Sequence, residues 1–90
     1  MDNNSQNNSL NQNELYSRLA IIRYLDLCTA IKNKRSDTGQ KPNQKELEDV
    51  FISLGQLQTI SDLRLTKDPE LIKLIQELID NRSQLLQLTK

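Results

Sequence analysis

Three helix starts are written into this chain of ninety residues. Asn11 stands three residues before Glu14, and Asn43 three before Glu46. That is the spacing of a capping box, in which the cap side chain accepts an N–H of the first turn and the glutamate reaches back to the cap's own N–H. Leu10 and Leu15 flank the first start in the manner of a hydrophobic staple. The third start is Asp68-Pro69-Glu70: an aspartate to cap, a proline whose missing N–H costs nothing at the first helical position, and an acid in the first turn. Behind each start apolar residues recur at steps of three and four, and no stretch alternates with period two long enough to argue a strand. The expected fold is therefore all-α, a small three-helix bundle with helices near 12–34, 44–64 and 69–88. Ser36 to Pro42 reads as the loop between the first two.

Residues 1–10 are almost entirely Asn, Gln and Ser. They have too little apolar surface to offset backbone ordering, so a disordered polar tail is expected there, ahead of a single helical domain over 11–90. Of the 32 apolar residues in the chain, 16 are Leu and 8 are Ile, with only three aromatics, a composition suited to helix-on-helix packing. A domain this small buries a limited share of its surface and usually leans on disulfides, a metal or another chain. One cysteine forms no internal disulfide, and without histidine there is no zinc site of ordinary composition. The expected support is a partner chain.

The same inventory bears on chemistry. There is no histidine for proton transfer, no glycine-rich phosphate loop and no Ser/His or Cys/His pair. The acids Glu46, Glu48, Asp49, Asp68 and Glu70 all fall in first turns, where they suit the helix dipole. No catalytic residue, metal or cofactor is expected, nor a small-molecule substrate. No run approaches the ~18 apolar residues of a membrane span, and Met1 to Asn13 has neither the basic nor the apolar region of a secretory signal. The expected setting is intracellular, cytoplasmic or nuclear. Cys28, inside an apolar run, reads as a small buried hydrophobe.

The helix faces carry the functional expectation. On helix 1 the apolar residues form three groups: Leu15, Leu19, Ile22 and Ala30; Tyr16, Ala20, Tyr24, Leu27 and Ile31; and Ile21, Leu25 and Cys28. A surface helix shows one apolar stripe, so this one is either central, with helices 2 and 3 around it, or covered on one side by a partner. Helix 3 follows a heptad, with Leu71, Leu78 and Leu85 in one series and Leu74, Asn81 and Leu88 in the other. Ile72, Ile75, Ile79 and Leu86 widen that seam toward a bundle face. The residues expected to meet a partner are Ile21, Leu25, Cys28, Leu71, Leu74, Leu78, Asn81, Leu85 and Leu88. Asn81, the polar member of the leucine seam, either faces water or pairs with itself across an axis and sets register.

Two features touch on nucleic acid. Gln44 to Leu63 resembles a DNA-binding helix-turn-helix: an amphipathic start, Leu54-Gly55, then Gln56-x-x-Thr59-Ile60-Ser61. It departs from that motif at Phe51, where a small residue belongs, in the short step from Gly55 to Ile60, and in having no Arg or Lys after the glycine until Arg64. The net charge of the chain is zero, yet residues 32–45 carry +4 of it, as Lys32, Lys34, Arg35, Lys41 and Lys45 against Asp37. Those five cations are the candidate anion contact; no aromatic interleaves with them to stack on bases. The sequence thus favours a non-enzymatic interaction module, a self-associating adaptor or a small subunit of a larger complex, presenting apolar faces of helices 1 and 3. The alternative is a dimeric DNA-binding regulator using 44–64.

Overall fold

The computed structural model describes the backbone of residues 2–88 and, of the side chains, those of 12–85 and 87. The chain is a small all-α bundle: α1 is Asp2–Thr38, α2 Gln44–Leu63, α3 Pro69–Asp80, and a short α4 Gln84–Leu88. The principal helices run up, down and up, so α1 packs chiefly on α2 and α2 on α3, while α1 and α3 touch more sparingly. The molecule is 55 Å long and 22 by 19 Å across. Its long dimension matches α1, whose 37 residues at about 1.5 Å each span about 55 Å.

The two downstream caps form as the spacing predicts. Asn43 Oδ1 accepts the Glu46 N–H at 2.8 Å, and Glu46 Oε1 accepts the Asn43 N–H at 3.0 Å, so both halves of the box are made. Asp68 Oδ1 accepts the Glu70 N–H at 2.9 Å, with Pro69 opening α3. Helix α2 ends one residue earlier than expected, at Leu63, where Arg64 turns into the left-handed region (φ 53°) and its N–H reaches back to the helix carbonyls. Helix α1 stops at Gly39, also left-handed (φ 71°), whose N–H meets the Arg35 carbonyl at 2.8 Å.

Three further boundaries differ from expectation. Helix α1 begins at Asp2 rather than near 12, taking in the Asn-rich segment that composition reads as a disordered tail; extending a formed helix needs no new nucleus. The side chains of residues 1–11 lie outside those described. Helix α1 also runs past 34 to Thr38, whose hydroxyl donates back to the Lys34 carbonyl at 2.6 Å. The expected helix over 69–88 breaks at Asn81-Arg82-Ser83 and resumes as α4. Asn and Ser there compete for backbone groups and favour a turn. The Ile79 carbonyl, which accepts the Arg82 backbone N–H at 3.2 Å, also accepts the Arg82 guanidinium at 3.0 Å, so this residue ties the end of the helix twice.

The core is drawn from every element. Ala20, Ile21, Tyr24 and Ile31 come from α1, Val50, Leu57 and Ile60 from α2, Ile75 and Ile79 from α3, and Leu85 from α4. Leu27, Cys28, Leu54, Leu65, Leu71, Leu74 and Leu78 pack around them, half-buried. On α3 the most buried line is Ile75 and Ile79, with leucines on both sides. The heptad of the sequence is thus the broad inner face of a bundle helix, not a narrow two-stranded seam. Two tertiary ties fix the ends. Glu14 accepts the Thr66 hydroxyl at 2.5 Å and the Lys67 N–H at 2.8 Å, pinning the α2–α3 loop to α1. Arg35 donates to the Gln87 carbonyl at 2.8 Å, holding α4 against the far end of α1.

Candidate interaction surface

At about 100° per residue the three apolar groups of α1 point in three directions, and the structure covers two of them. Of the second group Ala20, Tyr24 and Ile31 are buried under α2 and α3 with Leu27 at their edge, while Tyr16 stays 44% exposed. The third group, Ile21, Leu25 and Cys28, turns toward the end of α3 and α4. Ile21 is buried, Cys28 half-buried, and Leu25 stays 40% exposed, lining a shallow groove with Cys28, Leu78 and Leu85. Burial pushes the Cys28 thiol up, with Tyr24 and Lys32 opposing less strongly, and its side chain packs against the core.

The first group is the one left open. Leu15, Leu19 and Ile22 are 56%, 55% and 52% exposed on a single stripe of α1, opposite the face that meets α2. Ala30 continues the stripe, and Arg23 and Asp26 lie within it, all three exposed. A shallow groove runs along this outer face between Leu19 and Ala30. Among the described residues the ion pairs are Arg18 with Asp68 at 3.8 Å and Lys34 with Glu46 at 2.8 Å; neither Arg23 nor Asp26 belongs to one.

The residues expected to bind a partner are therefore placed mostly inward. Leu71, Leu74 and Leu78 pack on the chain's own core, and Leu85 belongs to it. The two faces singled out on helices 1 and 3 meet each other. Asn81 is exposed at the C-terminal cap of α3, where its N–H reaches the Glu77 carbonyl at 3.0 Å. The side chain of Leu88 lies outside those described. Leu15, Leu19 and Ile22 were visible as a group in the sequence but not as the outward one. The available signal was Arg23 and Asp26, whose charges mark that side of the helix as wet.

The basic segment is divided by the fold. Lys34 is spent on Glu46 and Arg35 on the Gln87 carbonyl, so both act inside the chain. Lys32, Lys41 and Lys45 are exposed, Lys32 on α1 beside Cys28 and the other two around the start of α2. The helix-turn-helix geometry is not formed by 44–64: α2 runs unbroken through Gly55, and no turn separates two helices there. The helix stays regular through Thr59 to Ser61 and continues to Leu63. Gly55 is exposed, and a Cβ added to it would meet nothing within 4 Å, so no helix of this chain approaches it closely.

Among the described residues no three His, Cys, Asp or Glu side chains come together as a metal site, and no helix is long and apolar enough to cross a membrane. No family model, curated protein or solved structure matches the chain.

Proposed function

We propose that the protein is a non-enzymatic interaction module whose working surface is the outer face of α1. The observation that carries this reading is the row of Leu15, Leu19 and Ile22, each more than half exposed on the side of α1 opposite its buried face. Burying three such side chains fully would add on the order of 1 kcal/mol each, taking half of the usual transfer energy for a side chain already half-covered. That is the scale of a modest but specific contact, suited to an adaptor or a small subunit. The inward placement of the α3 leucines moves the proposed contact away from α3 and onto α1 alone.

The test is a double substitution, Leu19→Asp with Ile22→Asp. Both sites are exposed, so helical circular dichroism and the melting temperature should change little. Complexes recovered with the wild-type chain from its native host should be lost with the variant. Recovery of the same complexes by both forms would rule out this face.

A further inference from the structure

We infer that the occupant of the outer α1 face is a second copy of this chain, lying antiparallel about a two-fold axis that passes between the two α1 helices at the level midway from Tyr24 to Leu25. The inference rests on the interaction reading above and names its partner. The groove on this face is lined by Leu19, Ile22, Arg23, Asp26, Leu27 and Ala30. About the proposed midpoint these six fall into pairs at equal distances: Leu19 with Ala30, Ile22 with Leu27, and Arg23 with Asp26. An antiparallel copy brings each residue to the level of its counterpart on the other chain.

Each pairing is chemically matched. A leucine over an alanine sets large against small and lets the two helix axes approach. Ile22 runs along one flank of the seam beside Ile22 of the copy, and Leu27 along the other beside its own counterpart. Arg23 of one copy comes level with Asp26 of the other, twice, by symmetry. Both charged side chains are exposed, and among the described residues neither is in an ion pair, so both can make the exchange. A parallel copy in register would set Arg23 beside Arg23 and Asp26 beside Asp26. The charge order of this face is therefore complementary to itself in one direction only. The chain's zero net charge adds no long-range repulsion between copies.

The contact is small. From Leu15 to Ala30 the face is about 22 Å long and about one helix, ~10 Å, wide. It covers a few hundred Å² per copy, below the roughly 800 Å² of a standard interface. The dimer is accordingly weak and exchanges fast.

Sedimentation equilibrium of the full chain over roughly 1–500 μM at low salt tests this. The wild type should pass from 10.4 kDa to twice that mass. Arg23→Asp alone and Asp26→Arg alone each set like charges across the axis and should weaken association about ten-fold. The double variant R23D/D26R restores both cross-pairs and should recover wild-type association. Circular dichroism of all three variants should match wild type, since both positions are exposed. A wild type that stays at 10.4 kDa throughout overturns the second copy as occupant. The interaction reading would still stand if the Leu19→Asp/Ile22→Asp variant lost a different partner. A wild-type dimer that both single variants leave intact, or that the double variant fails to restore, places self-association elsewhere and equally overturns the inference.

Discussion

Two fully buried serines show how the fold treats polar groups. Ser17 of α1 donates to the Asn13 carbonyl at 2.9 Å, whereas Ser53 of α2 has no partner for its hydroxyl among the described residues. A buried hydroxyl left unpaired costs up to a few kcal/mol, and removing it returns that cost. Ser53→Ala should therefore raise stability by up to about 1 kcal/mol, while Ser17→Ala should lower it slightly; urea melts of the two variants decide the order. Two carboxylates answer to pH. Glu14 is held below the ordinary carboxylate range first by the Thr66 hydroxyl and then by the Lys67 N–H. Glu46 is held down first by the Asn43 N–H and then by Lys34. A group with a lowered folded pKa contributes stability above its unfolded value, about 4.3 for Glu, and loses it as pH falls through the folded value. The melting temperature should thus drop on acidification below about pH 4.5, and Glu14→Gln with Glu46→Gln should flatten that drop. A double variant as acid-sensitive as wild type would show the loss to arise from other carboxylates.

At the level of single helices, what was legible was what is local. The Asn43–Glu46 box and the Asp68-Pro69 start involve residues at most three apart, and both form as their spacing predicts. Asn43→Ala should cost about 1 kcal/mol, the usual worth of such a cap. Glu14 was read by the same logic as the capping partner of Asn11, but it serves the α2–α3 loop instead, because α1 begins well upstream and the carboxylate is free to reach Thr66. The break after Asp80 was also missed. The leucine period runs on across Asn81-Arg82-Ser83 whether or not the backbone does, so periodicity alone could not reveal the turn. Asn81→Leu should accordingly move stability by less than about 0.5 kcal/mol and leave the oligomer distribution unchanged, since the side chain is exposed at a helix end. At Gly55 the added methyl meets nothing within 4 Å, and Gly55→Ala should raise stability by about 1 kcal/mol through helix propensity alone. A loss of stability there would mean that the position needs close approach by something outside the chain.

For the molecule as a whole, the sequence showed that helix 1 carries more apolar surface than one partner helix can cover, but not which side stays bare. That depends on where α2 and α3 settle around it, a matter of loop length and crossing geometry that no single helix contains. Cys28 and the leucine heptad are apolar for the chain's own sake, since they pack in or against its core. The order of packing along the chain has a consequence in time. Helices adjacent in sequence make most of the contacts, and such topologies fold fast. The exceptions, Glu14 to Thr66 and Arg35 to Gln87, each join residues 52 apart. Links of that span close after the two hairpins have formed, because their loops carry the larger entropy of closure. They act as latches set last and released first. In a chevron experiment Glu14→Gln should leave the refolding limb almost untouched and steepen nothing, while raising the unfolding rate by most of the stability it removes. The chain would then reach its fold as quickly without the latch and simply keep it for less time.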